Sequence, residues 1–487
     1  MKKLKETNLS NTFIQLVFNS LVVGFISWFY PALSSAQETS STTVLDRAST
    51  QNELQGFSLK MSYSGYQSNP TEAQTTSFEA QYLMQSIGVH SAQKVHFIFG
   101  LYPEQNSNYV AAPELYYSNG SRLKDYPADV EYTIGRRQTV QNKLDDVFNL
   151  GLVNPYFSQD FINYTAQGLT GLHLKTSLDY FTVGANFYPI FIPNQGPAHL
   201  EKKGKLVGVN RWAQSAPKSF VYNNKENNID YRIANYNLYD LMGHSGYSFT
   251  LKTGDLEKTK GELNVTFSDT PINEVVISRT VIADLNLNGS VEIFPVIRYS
   301  KKVTSDFQFK QHNTTFFASY LMDTPENKLE SDDHAVQMLE PIYGYGGGFQ
   351  VDMTDFVDRE LSFGLAYGKF YGGEIKDMNS DGQENTFSIS NNRLLFQNPF
   401  KLSAELEGFK VRSLPVYFKA NWIYDTQQNG SLLSLSARHS PLPQLNLSLG
   451  IDLIGVVDET KSPDRKSSFL SQHSADDRMT GALTYVF

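Results

Sequence analysis

"LNLSLGIDL", residues 445–453, places an aliphatic side chain at every second position. Leu445, Leu447, Leu449, Ile451 and Leu453 fall on one side, and Asn446, Ser448, Gly450 and Asp452 on the other. Successive side chains of a strand point to opposite faces, so a period of two reads as a β-strand with one apolar face and one wet face. Five aliphatics in a row on that face need an apolar surrounding, and the charge on the other face needs water or a partner.

The same alternation recurs along the chain. Phe57, Leu59, Met61 and Tyr63 begin it, followed by Phe78, Ala80, Tyr82 and Met84, then by Val95, Phe97 and Phe99. Val130, Tyr132 and Ile134 precede "GRR", and Leu178 and Tyr180 lead into "FTVGANFYPIF". Further runs centre on Phe249, Val265, Val275 with Ile277, Val291 with Ile293, Val351, Phe363, Ala404, Phe418 and Leu435. Turn-forming stretches such as "NSDGQ", "TQQNG" and "SPLPQ" separate them. About 16 to 18 strands are expected, 18 favoured, each of about ten residues. Longer connections are expected at about 103–128, 138–166, 189–228, 324–345 and 456–477. Strands begin by residue 57, which leaves no room for a large N-terminal plug domain.

Bulk properties narrow the class. The 487-residue chain has 33 Phe and 28 Tyr among its aromatics, yet hydrophobic residues make up only 40%. Apolar residues spread thinly over many strands fit that balance; a bundle of membrane helices does not. There is no cysteine, which excludes disulfides, thiolate metal sites and a Cys nucleophile. "MKKLKETNLSNT" followed by the apolar 13–33 stretch and "SSAQ" reads as a signal peptide of residues 1–36, cut after Ala36. Removing Lys2, Lys3, Lys5 and Glu6 from 41 basic and 50 acidic residues leaves 38 and 49, a net charge of −11. So acidic a chain argues against nucleic-acid binding. Residues 37–55 are polar and aperiodic and read as a periplasmic leader, so residues 56–487 form one domain. After residue 36 no run reaches the roughly 18 to 20 apolar residues of a membrane helix. The strands themselves are then the spanning elements. Backbone polar groups in lipid must all be paired, which strands achieve only in a closed barrel.

The final strand carries a family likeness. In "MTGALTYVF", Leu483, Tyr485 and Phe487 set apolar and aromatic residues at alternate positions up to a terminal Phe. This resembles Gram-negative outer-membrane β-barrel proteins of the porin-like kind. A looser likeness lies in residues 132–160, where Gly135, Arg136, Arg137 and Gln138 are followed by Asn154-Pro155, without the Trp that porin-like barrels carry between. The resemblance implies an all-β, antiparallel up-and-down transmembrane barrel in the cell outer membrane, reached by Sec-type export. It implies outer-membrane lipid and lipopolysaccharide around the wall, and barrel-assembly machinery that reads the last strand. It is compatible with a homo-oligomer and requires no cofactor.

Strand parity nominates the interior. With apolar residues outward, Glu131, Arg137, Asp230, Arg232, Glu292, Arg298, Glu405, Glu407, Lys419, Arg438 and Asp452 point inward as candidate pore-lining groups. The lumen is the affordable place for them, because an Arg or Lys at mid-bilayer on the lipid face costs roughly 2–4 kcal/mol. Salt-bridge networks that merely fill the barrel explain the same charges. Segment 189–228 concentrates Lys202, Lys203, Lys205, Arg211 and Lys218 and is the candidate constriction loop, or else an exposed loop facing lipopolysaccharide phosphates. Trp422, Tyr424, Tyr485 and Phe487 are candidates for the interfacial aromatic girdles.

Two motifs read more simply than they first look. "DMNSDGQEN" (377–385) has the start of a calcium loop but lacks its closing Glu, with Ser388 in that place; Asp381-Gly382 suits a hairpin turn. "GHSGY" (243–247) lacks the closing Gly of a nucleophile elbow, and the nine His show no triad spacing. The expected function is non-enzymatic: diffusion of small hydrophilic solutes through a water-filled, loop-constricted, mixed-charge lumen. The alternatives are a substrate-specific uptake channel, including one for hydrophobic nutrients, or an outer-membrane enzyme or adhesin with a plugged barrel.

Overall fold

The structure, a computed structural model, describes residues 56–487 except 68–74, 88–90, 104–107, 123–127, 158–159, 195–198, 209–211, 213–215, 217, 223–224, 236, 284–288, 328–334, 355–358, 379–383, 386–391, 458–467 and 475. The expected signal peptide with Ala36, the leader at 37–55, Arg211, and the Asn379–Gly382 part of the calcium-like turn therefore lie outside the described residues.

Eighteen strands form one closed antiparallel wall. In chain order they are β1 (Gly56–Tyr66), β2 (Thr75–Ile87), β3 (Ser91–Pro103), β4 (Asn108–Arg122), β5 (Ala128–Arg137), β8 (Leu169–Leu178), β9 (Phe181–Ile190), β14 (Gly246–Asp255) and β15 (Gly261–Pro271). The wall continues with β18 (Tyr299–Gln311), β19 (Thr314–Pro325), β21 (Ile342–Asp352), β22 (Leu361–Gly372), β25 (Pro399–Val411), β26 (Leu414–Asp425), β27 (Gly430–Leu442), β28 (Leu445–Val456) and β29 (Arg478–Val486). Each pairs with its neighbours in sequence along the wall, and β29 closes on β1 with Met61 opposite Leu483 and Tyr63 opposite Gly481. Closure leaves no unpaired edge, so every strand satisfies its backbone on both sides. The expected count of 18 is found.

Parity follows the sequence. Leu447, Leu449, Ile451 and Leu453 on β28 are all exposed on the outer face, Leu449 by 70%. Phe249, Val265, Phe307, Phe316, Leu435 and Leu483 are likewise exposed on their strands. Their neighbours Ser248, Thr266, Asp306, Ser319 and Asp452 turn inward and are buried. No helix among the described residues is long and apolar enough to cross a membrane. The outer apolar band is carried by strands, as lipid requires.

The two rims differ. At one, turns such as 179–180, 312–313, 412–413 and 443–444 join the strands. Arg412 and Ser413 both take positive φ, which is the tight two-residue hairpin geometry. At the other rim stand the long connections 138–168, 191–245, 272–298, 326–341, 373–398 and 457–477. Residues 108–122, expected within a connection, are instead wall strand β4, whose outward Leu115 and Tyr117 alternate only over a short stretch.

Four of these long connections pair into a second sheet of seven strands. Its members are β12 (Ser219–Tyr222), β13 (Lys225–Ile233), β16 (Val276–Ala283), β17 (Gly289–Val296), β20 (Ala335–Leu339), β23 (Ile375–Met378) and β24 (Glu384–Asn385). β13 and β17 run parallel, with Tyr231 opposite Val291. Ile229, Tyr231, Val291 and Ile293 form its buried core with Ala216, and Arg279 and Asp377 form a buried ion pair at 3.0 Å. Val275, Ile277, Val291 and Ile293 thus belong to this loop sheet or its approach, not to the wall. Two small hairpins complete the strands among the described residues: β6 (Tyr156–Phe157) with β7 (Thr165–Ala166), and β10 (His199–Lys202) with β11 (Lys205–Gly208).

Candidate channel interior and its inner loop

The connection after the fifth wall strand, 138–168, leaves β5 and crosses to the far side of the interior. Helix α1 (Lys143–Phe148) forms there because Asn142 caps it: the Asn142 backbone is extended and its side-chain oxygen accepts from the Asp145 N–H at 2.9 Å. Asn149 ends the helix in the left-handed region. Leu144 and Phe148, four residues apart, share one face. They pack with Leu321, Ile342, Ala366 and Phe370 from the inner faces of β19, β21 and β22.

The wall makes room by omitting side chains. A Cβ added at Gly368 would come within 2.8 Å of Phe148 Cε2, and one at Gly346 within 2.6 Å of Leu144 Cδ1. Polar contacts fix the register. The Asn142 side-chain amide donates to Asp306 Oδ1 (3.1 Å), Ser319 Oγ (2.8 Å) and the Tyr320 carbonyl (3.2 Å). The Lys143 N–H also donates to Asp306, at 2.9 Å. Lys401 Nζ on β25 donates to the Val147 carbonyl at 2.6 Å.

The loop then folds back on itself. The buried Asp145 carboxylate accepts from the N–H groups of Leu152, Val153 and Asn154. Burial nevertheless pushes its carboxyl up to about 6, outweighing those bonds. Asn154 accepts from the Gln141 N–H at 2.6 Å and donates to the Asn142 carbonyl at 2.8 Å, so the Asn154-Pro155 pair noted in the sequence staples the loop.

A second apolar cluster lies at the long-loop rim. Phe161 and Ile162 of the inner loop meet Trp212, Leu395 with Phe396, and Phe469 with Leu470 from three other connections. Phe469 and Leu470 sit on helix α3 (Phe469–Gln472), which follows α1 and α2 (Leu238–Met242) in the chain. The cluster rests on inward residues at the rim ends of β1, β26, β27 and β28: Tyr66, Ile423, Leu432 and Ile454.

The first cluster lies against β19, β21 and β22, and the second against the rim ends of β1, β26, β27 and β28. The remaining arc is polar. On β3 to β5, the Tyr116 ring lies 5.5 Å from the Arg137 guanidinium and 6.0 Å from Lys94 Nζ. Arg137 donates to Glu131 Oε1 and Thr133 Oγ1, each at 2.7 Å, and its side chain and that of Glu131 remain 30% exposed. His96 Nδ1 lies 3.0 Å from Glu114. On β8 to β14 a chain of bonds links His173, Asn186, Ser248 and Tyr188. Lys252 and Glu262 pair at 2.8 Å. Arg137, Glu131 and Lys252 keep access to water and carry both signs, whereas His96, Tyr116, His173, Tyr188 and Ser248 are buried. In fold the chain is a closed 18-stranded antiparallel β-barrel.

The nominated residues separate on this frame. Glu131, Arg137, Glu405, Glu407, Lys419, Arg438 and Asp452 are on wall strands at inward positions, with Glu405 opposite Lys419 in register and Arg438 5.2 Å from the Tyr417 ring. Asp452 is buried against Arg478 at 2.7 Å. Asp230, Arg232 and Glu292 are on β13 and β17 of the loop sheet, so wall parity does not reach them; Asp230 and Arg232 are exposed, 3.8 Å apart. Arg298 is buried just before β18. Among the described residues, 138–168 is the loop docked on the inner faces of β18 to β22, while of 189–228 Trp212 joins the rim cluster. Lys202, Lys203 and Lys205 stand exposed on the β10–β11 hairpin, and Lys218 is exposed before β12. Leu483 and Tyr485 face outward on β29, and Phe487 is half exposed. Trp422 and Tyr424 stack at 5.9 Å near the long-loop rim. Asp377 is engaged by Arg279, and burial raises its carboxyl above the usual range. His244 of "GHSGY" lies edge-on to Tyr299.

Sequence reading missed Asn142, Asp145, Leu144 and Phe148 of the inner loop, and Trp212 and Phe469 of the rim. One signal was present: "YGYGGGFQ" (343–350) puts Gly344, Gly346 and Gly348 on one face of a strand, an inner wall stripped of side chains.

No protein-family model and no curated protein matches the chain. Among solved structures, Salmonella typhi OmpF in complex with daunomycin aligns over 88% of this chain and 96% of that one, at 10% identity and a TM-score of 0.38. Vibrio cholerae OmpT, an outer membrane protein, aligns over 88% and 96% at 7% identity and a TM-score of 0.37. A mutant of the Rh. blastica porin aligns over 89% and 99% at 8% identity and a TM-score of 0.36.

Proposed function

We propose that the protein is an outer-membrane channel for the diffusion of small hydrophilic solutes, in a passage bounded by the inner loop on one side and by the charged β2–β15 arc on the other. The observation that carries this is the 138–168 loop, docked against β18–β25 while Glu131, Arg137, Lys175 and Lys252 across the interior stay inward and wet. A loop held across a barrel narrows it without sealing it, and fixed charges of both signs focus the field over the narrow part. Selectivity between anions and cations is then weak. The same reading takes the chain through Sec-type export with cleavage near Ala36, and gives Leu483, Tyr485 and Phe487 to the assembly machinery.

Purified, folded protein in planar bilayers tests it. Discrete open currents are expected, with a small reversal potential in a KCl gradient that shifts toward cation preference in Arg137→Gln. Folded protein that carries no current in any variant refutes the channel.

A further inference from the structure

The inner loop has two anchors of different kinds. At α1, Asp306 receives its donors from the loop and from Ser319, so withdrawing the loop leaves a buried carboxylate poorly served. At the far end Asp160 Oδ2 accepts from Arg478 Nη1 at 2.6 Å. Arg478, 2% exposed, also donates through Nε to Asp452 Oδ2 at 2.7 Å, from wall strand to wall strand. If Asp160 leaves, Arg478 still has a carboxylate partner. Asp160 is 27% exposed, so water can take Arg478's place beside it. The first anchor is costly to open and the second is built to release.

Aromatic contacts tie the releasable anchor to the rim loops. Phe161, next to Asp160, meets Trp212 edge-on at 5.8 Å and Phe469 at 5.9 Å. Trp212 and Phe469 stack at 6.1 Å, and the Arg478 guanidinium lies 6.0 Å from the Trp212 ring. Trp212 comes from the 191–245 connection and Phe469 from the 457–477 connection, so displacing either rim loop unseats Phe161.

We propose that Asp160 and Arg478, covered by Trp212 and Phe469, form a latch that positions the far half of the inner loop and so sets the width of the passage. Opening the rim loops releases the latch, and the inner loop swings about its α1 anchor. This rests on the channel reading above.

Planar-bilayer recordings of the full chain, with neutral polymers of graded size, test it on wild type, Asp160→Asn, Asp160→Glu and Trp212→Ala. Asn keeps an acceptor for the Ile162 and Asn163 N–H groups that Asp160 Oδ1 serves, so the local turn survives while the charge is lost. Asp160→Asn and Trp212→Ala are expected to raise the occupancy of a larger conductance state about tenfold or more, the scale of one charged hydrogen bond, and to admit larger polymers. Asp160→Glu should restore wild-type behaviour. Conducting wild type with identical conductance, substates and polymer limit in both variants overturns the latch and leaves the channel standing. Current in the variants alone supports it. No current from any folded form overturns both.

Discussion

Replacing Asn142 tests how the inner loop is held. Alanine there removes the α1 cap, worth about 1 kcal/mol. It also removes the amide that serves Asp306, Ser319 and the Tyr320 carbonyl. One bond to a carboxylate is worth about 1.5–3 kcal/mol and a neutral one about 1 kcal/mol. Over the cap, one charged and two neutral bonds the sum is about 4.5–6 kcal/mol, and water entering the vacated space returns part of it. A net loss of about 3 kcal/mol lowers the ratio of docked to released loop by roughly a hundredfold. The wall should still fold, because no ladder bond between strands involves this side chain. Asn142→Asp separates the two contributions: it keeps a good cap but sets a carboxylate against Asp306, and should release the loop at least as fully. Single-channel recording with polymer exclusion is the assay, with circular dichroism confirming the barrel. Both variants should show larger or noisier currents and a higher size limit. A folded Asn142→Ala channel with wild-type conductance, noise and size limit would refute the anchoring role.

Gly368→Val should act from the wall side, since the new side chain occupies the place of Phe148 and overpacking costs about 1–3 kcal/mol; an unchanged polymer limit would count against the glycine groove. Leu449→Arg should cost about 2–4 kcal/mol of stability in bilayers by urea titration, while Ser448→Arg, one residue away on the inner face, should cost little; equal losses would contradict the assigned faces. The Asp145 carboxyl, pushed up to about 6 by burial, holds its proton more tightly in the docked loop than in a released one. Docking is therefore strongest below about pH 4, weakens as pH rises to about 6 and is level above that. Currents recorded from pH 4 to 7 should grow over that window and flatten in Asp145→Asn; a level wild-type profile would show that this carboxyl does not titrate there.

The wall was legible because lipid and water impose a period of two on each strand separately. Leu445–Leu453 announces its faces without reference to any other part of the chain. The loop sheet misled for the same reason. Val291 and Ile293 alternate with Ser290 and Glu292 because any sheet with one buried face alternates, whether lipid or protein covers it. Asp230, Arg232 and Glu292 were carried to the wall with them. The inner loop was illegible at the level of pattern, since its position depends on Asn142 meeting Asp306, 164 residues away. Lysine density drew attention to 189–228, but docking is decided by shape: a two-residue apolar face and a wall of glycines.

The seven-stranded loop sheet binds the exposed surface into one unit. β16 pairs with β17 and with β20, β20 pairs with β23, and β13 lies parallel to β17. A one-residue insertion in any of these strands reverses the faces of all that follow in it and mismatches its neighbours. Four connections far apart in sequence must then change together or not at all. Variation that leaves the sheet intact is confined to places such as the Lys203-Gly204 tip of the β10–β11 hairpin. An antibody raised against a linear peptide from β16 or β17 would find its target already paired, and recognition of this surface would require the assembled loops.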